Sequence, residues 1–402
     1  MEQESPLFIL WRRILSELSY HQDEAIISSP GHVLNPVIKT VYVRETAFAA
    51  KVFAAEHKRS RDPGWLKRAE RCLEALQAVD LDAGLEEPVW KPRGVIFKKG
   101  SIPATVSLLD SFWSTLDLLG RRAEAQDHKG VISFLKKCYL KNGFFAHDEV
   151  PLGKGRSVAA IQNTAAMALF LMEVLHQKGI QDDFIARERM PSLRALLQGQ
   201  RSDGFWPYVF PGLWQRCFFA IPFLRPGLNT KAFKLLSRGD RSILFGDTVH
   251  HCYILYFLLK RKLLCKTNDS DGHLIAGWNW LKGHMIRDGD GLAVDFSWEP
   301  VPHGPRYCNF RDTTTYFLVI SIALMFKKLS MIKEEESHGL IDGLLKHIEK
   351  DLLLGQQEPF PCIKPYEGPW EIIQNIFPRA AESVAWKGAL LADLVLESVG
   401  RE

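Results

Sequence analysis

Apolar residues recur at three- and four-residue spacing along most of the chain, the period of helices that bury at least one face. The spacing predicts helices over 5–21, 36–57, 63–79, 104–120, 124–141, 158–177, 183–199, 246–262, 269–287, 309–330, 334–354 and 379–398. Proline and glycine mark the joints, at Ser29-Pro30-Gly31, Pro88, Pro92, Pro103, Pro151 and Pro378. The predicted helices alternate in character. One set is apolar nearly all round, as in YFLVISIALMF after Asp312, and such helices are buried on every side. The other set is amphipathic and charged, as in DPGWLKRAERCLEAL and EEESHGLIDGLLKHIEKDL. Six buried helices alternating with six amphipathic ones predict an all-α (α/α)6 toroid, with the apolar helices as the inner ring. No low-complexity linker interrupts the pattern, so residues 1–402 are expected to form a single domain.

A second repeat runs through the apolar set. Six times an acidic or amide residue followed by Ser or Thr precedes the apolar run. The pairs are Glu45-Thr46, Asp110-Ser111, Asn163-Thr164, Asp247-Thr248, Asp312-Thr313 and Glu382-Ser383. Long aromatic segments rich in Gly and Pro lead into these helices, among them KNGFFAHDEVPLGKGRS, RSDGFWPYVFPGLW, RDGDGLAVDFSWEPVPHGPRYC and QEPFPCIKPYEGPW. The long loops are therefore expected on one face, at the N-terminal ends of the inner helices, where the pairs also lie. Binding and catalysis concentrate in such loops.

Helix capping is the simplest role for the pairs, since side-chain oxygens at a helix start satisfy free N–H groups. Two pairs exceed that role because polar residues continue into an otherwise apolar helix. Thr248, His250, His251 and Tyr253 follow Asp247; Arg306, Tyr307, Asn309, Arg311, Thr313, Thr314 and Tyr316 surround Asp312. Adjacent histidines diverge by about 100° on a helix, so one of His250 and His251 is expected to face inward. A carboxylate beside a histidine tunes it for proton transfer near neutral pH. Asp247 and Asp312 are thus candidate orienting acids, and His250, His251, Tyr307 and Tyr316 candidate proton carriers. Asn163, Arg306 and Arg311 are candidates for holding a substrate carboxylate. Trp206, Tyr208 and Trp298, with Phe144, Phe145, Phe205, Tyr366 and Trp370, are expected to ring the cavity mouth. Glu45 and Glu382 mark frame positions that would also reach substrate.

Composition narrows the classes. With 402 residues, 46% hydrophobic and 24% charged, the chain reads as soluble and globular. It holds no charge-free apolar run of the roughly eighteen residues that would span a membrane. The opening MEQESPLFILWRRILSELSY reads as an amphipathic helix, with no cleavage site of a signal peptide. A net charge of +4 is too small to imply nucleic acid. The basic runs at Lys58–Arg61, Lys98-Lys99 and Lys260–Lys262 read as solvated faces, with an anionic substrate or peripheral membrane contact as the alternatives. Seven cysteines, an odd number without a C-x-x-C pair, point to buried thiols in a reducing cytoplasm rather than to disulfides or structural zinc. Asp288-Gly289-Asp290-Gly291 reads as a turn. No phosphate loop, nucleophile elbow or zinc helix occurs, so no cofactor or metal is expected.

The stretch from Ser202 to Leu329 resembles bacterial polysaccharide-biosynthesis proteins related to the glucuronyl C5-epimerase and lyase toroids. SDGFWPY (202–208) is similar to that family's Asp-Gly-Ser-Trp-Pro-Tyr loop, and GDTVHHCYILYFLL (246–259) to its Asp-Asn-Phe-His helix start. DGDGLAVDF (288–296) and YCNFRDTTTYFLVISIAL (307–324) follow in the same order. Thr248 replaces the family's Asn, and Thr313-Thr314 its Ile-His. The resemblance implies epimerisation or elimination beside a uronic-type carboxylate of a glycan. SLRALLQGQRSDGFW (192–206) also looks like the repeats of squalene-hopene-type terpene cyclases, although their Asp-x-Asp-Asp acid is missing. A polyprenyl cyclase with an aromatic cavity and a non-catalytic binding toroid are the alternatives.

Overall fold

The computed structural model describes residues 5–25, 29–33, 41–82, 84–91, 94–121, 128–148, 160–207, 246–294, 298–299, 311–349, 363–364 and 384–399. Among these, twelve helices follow in chain order: α1 Pro6–Ala25, α2 Val43–Ser60, α3 Pro63–Gln77, α4 Ile102–Leu118, α5 His128–Cys138, α6 Gln162–Gln177, α7 Asp183–Gly199, α8 Thr248–Cys265, α9 Asp271–Lys282, α10 Thr313–Lys328, α11 Glu334–His347 and α12 Val384–Val399. Each predicted helix has its counterpart, and the bounds of α7 coincide with those expected. Ten short strands accompany them: β1 Leu85–Lys91, β2 Gly94–Ser101, β3 Tyr139–Lys141, β4 Phe144–Phe145, β5 Gly246–Asp247, β6 Met285–Asp288, β7 Gly291–Val294, β8 Trp298–Glu299, β9 Arg311–Asp312 and β10 Ile363–Lys364. The antiparallel β1/β2 hairpin left no clear sign in the sequence, because Pro88 and Pro92 interrupt its alternation.

Contacts divide the chain into two compact units. The first comprises Met1–Phe134, Arg287–Ala293 and Tyr316–Glu402; the second comprises Leu135–Ile286 and Val294–Thr315.

In the first unit α2 is buried without interruption from Glu45 to Glu56, as an all-round apolar helix must be. It packs against α3, α4 and α12, and α12 packs on α1. The last helix of the chain thus returns to the second. Its approach is close: a Cβ on Gly388 would stand 2.7 Å from Ile14 and 2.8 Å from Val52. Ser321 Oγ of α10 donates to the Leu390 carbonyl of α12 at 2.7 Å. By contrast α3 buries a single stripe, Ala69, Cys72, Leu73 and Leu76. Asp62 caps its start through the Gly64 N–H, and Pro63 occupies its first turn. One expectation needs correcting here. Asp110-Ser111 does not begin a helix; it lies in the middle of α4. That helix starts at Ile102, where the Ser101 side chain accepts from the Ala104 N–H and Pro103 sits in the first turn.

The second unit is organised around α6, buried continuously from Gln162 to Leu175. It packs between α7 and α8, and α8 packs on α9. Near its C-terminal end, Glu173 joins three helices. Its carboxylate accepts from Arg189 Nη1 of α7 at 2.6 Å and from Arg261 Nε of α8 at 3.1 Å. Arg261 continues to Asp269 through two bonds of 2.8 and 2.9 Å, which fastens the loop after α8. Cys72, Cys138 and Cys252 are buried free thiols. Among the described residues no helix is long and apolar enough to cross a membrane.

Replacing Glu173 by Gln leaves buried guanidinium charge undercompensated. The variant is expected to lose about 3 kcal/mol of unfolding free energy in a urea titration. A loss below about 1 kcal/mol would show that the three-helix junction does not depend on this carboxylate.

Candidate active site

Helices α6 and α8 run parallel and in register. The Phe170 and Phe257 rings meet with centroids 5.6 Å apart, and Glu173 meets Arg261 at 3.1 Å. Both contacts join residues 87 or 88 positions apart. The 87-residue offset of the phenylalanine pair, carried to the helix starts, brings Asn163 level with His250, and the 88-residue offset of the ion pair brings it level with His251. Each stands seven residues before its phenylalanine, close to two full turns, and so shares that residue's face. The sequence candidates Asn163 and His250 therefore belong to one end of one helix pair.

Asn163 is not a helix cap. The first turn of α6 carries no side-chain capping bond. Asn163 is only 5% exposed, and its Oδ1 finds no hydrogen-bond partner among the described residues. Gln162 Oε1 and Thr164 Oγ1 are unpartnered in the same sense. An unpaired buried acceptor costs about 1–3 kcal/mol, so three in one turn mark a place that structure alone does not explain.

The two histidines of α8 separate cleanly. His250 is half-buried, with its ring 6.2 Å from that of Tyr253. His251 is fully buried. Its Nδ1 accepts from the Trp206 backbone N–H at 3.2 Å, and its Nε2 donates to the Gly277 carbonyl at 3.0 Å. That pairing fixes the neutral tautomer. Burial pushes its pKa down to about 3, against the partial support of the Gly277 bond. His251 is thus corrected from proton carrier to structural clamp.

The clamp also reassigns the aromatic loop. Phe205 stacks on His251 with centroids 5.5 Å apart, and Trp206 and Trp280 flank the same imidazole at 5.6 and 4.5 Å. Trp206 is fully buried, and its indole N–H donates to the Leu196 carbonyl at 2.9 Å. Gly204 makes the turn with φ 94°, pressed so closely on the Ala276 carbonyl that a Cβ would stand 2.2 Å from it. Phe205 and Trp206 are core residues, not stacking platforms at a mouth, because His251 and α9 hold them inward. Phe145 is likewise fully buried. The aromatic cavity that a polyprenyl substrate needs loses these members.

The remaining candidates divide as follows. Tyr316 is fully buried in the first unit and stacks on His347 of α11, with centroids 5.1 Å apart and planes 9° from parallel. Its ring is therefore enclosed between helices of that unit. Glu45 lies in the first turn of α2, 3% exposed, in the same unit. For Asp247, Trp298, Arg311 and Asp312 the structure describes the backbone alone. Asp247 and Trp298 come together there, paired across the β5/β8 ladder at the start of α8. Tyr208, Arg306, Tyr307, Glu382, Tyr366 and Trp370 lie outside the described residues. Asp288-Gly289-Asp290-Gly291 spans the β6/β7 turn, and among the described residues no group of His, Cys, Asp and Glu could hold a metal ion.

No family model matches the chain, and no curated protein does. Solved structures do. The chain is similar to an unsaturated glucuronyl hydrolase specific for heparin, with TM-score 0.59, 13% identity and 98% of each chain covered. It is similar to cellobiose 2-epimerase from Bacillus thermoamylovorans B4167, with TM-score 0.60, 10% identity, and 98% of this chain and 100% of that one covered. It is also similar to a D-mannose isomerase, with TM-score 0.60, 10% identity, and coverage of 99% and 100%. These likenesses show the fold, the all-α (α/α)6 toroid that the alternation of helices predicts.

The His251 assignment carries a pH signature. Its ordinary pKa of 6.5 falls to about 3 in the fold, so between these values the unfolded chain binds a proton that the folded chain refuses. The contribution of His251 to stability is full above pH 6.5 and is lost as the pH falls toward 3. Between about pH 6 and 4 the wild type is expected to lose about 1.4 kcal/mol per pH unit more than His251→Gln, read by urea titration. Equal slopes would mean that the imidazole is not held neutral.

Proposed function

We propose that the chain is a carbohydrate-active enzyme, an epimerase or lyase, that works by acid/base proton transfer at the N-terminal end of α6 and α8. The observation that carries the reading is the register of those helices, which sets the half-buried His250 level with Asn163 and its unpartnered Oδ1. Polar groups with no structural partner at the start of a buried helix are positioned for a ligand. His250 is the proton carrier, since His251 is committed to backbone partners on both ring nitrogens. Asp247, directly before α8, supplies a carboxylate beside it in sequence. The reaction class is removal of a proton from a carbon acidified by a neighbouring carbonyl-type group, with return of the proton for epimerisation or loss of a leaving group for elimination.

The fold supports this reading, because toroids similar to this chain include an epimerase and an isomerase of sugars and a glucuronyl hydrolase. Substrate is a sugar or glycan, with no nucleic acid partner. The buried free thiols support a reducing compartment, the cytoplasm.

The test is proton exchange. Wild-type protein in heavy water with D-mannose, cellobiose or an unsaturated glucuronyl disaccharide is expected to exchange a carbon-bound hydrogen or to form a new double bond, read by NMR. His250→Ala is expected to slow that reaction by about 10²–10⁴-fold while the melting temperature stays near wild type. An undiminished rate in His250→Ala would remove His250 as the base.

A further inference from the structure

We propose that the α6/α8 end binds a neutral sugar ring, with Asn163 Oδ1 accepting the hydrogen of a ring hydroxyl. The inference rests on the reading of that end as a carbohydrate site and names what the site recognises. It also changes the role expected of Asn163, from holding a substrate carboxylate to holding a hydroxyl.

Asn163 lacks a partner at its carbonyl oxygen, an atom that can only accept. A carboxylate also only accepts, so it gains nothing opposite Oδ1. A sugar hydroxyl donates and accepts, and fits. Gln162 turns its Nε2 to the Gly199 carbonyl, which leaves its Oε1 acceptor without a partner; Thr164 Oγ1, a hydroxyl that can donate or accept, has none either. Successive residues diverge by about 100°, so Asn163 alone of the three shares the face of Phe170 and the seam with α8.

Charge points the same way. The first turns of α6 (Gln162–Ala165) and α8 (Thr248–His251) contain no Lys or Arg, and Asp247 stands directly before α8. These first turns hold no Lys or Arg side chain to pair with an anionic substituent, whereas an uncharged hydroxyl needs no such partner.

Binding of D-glucose and D-glucuronate to the full chain, followed by ligand-observed NMR at neutral pH, tests this. D-glucose is expected to bind about tenfold more tightly than D-glucuronate. Asn163→Asp keeps an acceptor oxygen at the Oδ1 position and is expected to hold D-glucose within about threefold of wild type, whereas Asn163→Leu loses about tenfold. A wild-type preference for D-glucuronate overturns the proposal without the need of any variant. Equal loss of D-glucose in Asn163→Asp and Asn163→Leu also overturns it, since the amide N–H would then be the group in use. These measurements read binding and not turnover, so failure of His250 as the base leaves their result standing, and their failure leaves the exchange assay standing.

Discussion

The ion pair between Glu173 and Arg261 fixes the register of α6 against α8, and the candidate site depends on that register. A buried carboxylate and guanidinium do not slide past one another cheaply. Displacing α8 by one residue would strand both charges, and with them Arg189 and Asp269, which share the junction. The Phe170–Phe257 contact one turn earlier holds an offset of 87 in apolar form, within one residue of the ion pair's 88. Two turns further toward the N-termini, Asn163 and His250 inherit it. The candidate site at one end of the pair is thus aligned by charge buried near the other.

Adjacent histidines at the start of α8 differ sharply in their surroundings. His251 spends both ring nitrogens on backbone, one from the segment after α7 and one from α9. It pins residues 201–207 into place, helped by Gly204 in the left-handed region and by Gly277, where a Cβ would stand 2.5 Å from the Trp206 ring. This clamp needs a neutral imidazole, and burial supplies one. His250, one residue away and turned by about 100°, is released from that duty.

The frame was legible in the sequence because helical burial is written in the period of apolar side chains. The alternation of all-round and one-sided helices is a local property, and it gave twelve helices and the toroid class. The site was legible only in part. Asp110-Ser111 imitates a helix start, but a residue pair has no phase; the true start was marked by Ser101 and Pro103. The choice between His250 and His251 turned on Trp206 and Gly277, which lie 45 and 26 residues away. Trp206 was ambiguous for a related reason: an aromatic residue in a loop packs inward or lines a cavity with the same sequence signature. In the sequence Asn163 was a candidate for holding a substrate carboxylate, and only a structure shows that its Oδ1 has no partner.

The most direct measurement of the central claim is a crystal structure of the protein with a bound reducing sugar. The account predicts a sugar hydroxyl within hydrogen-bond reach, about 3 Å, of Asn163 Oδ1, with the same ring against the His250 imidazole and His251 still held between Trp206 and Gly277. A sugar bound with Asn163 and His250 untouched, or with His251 turned to contact it, would contradict the account.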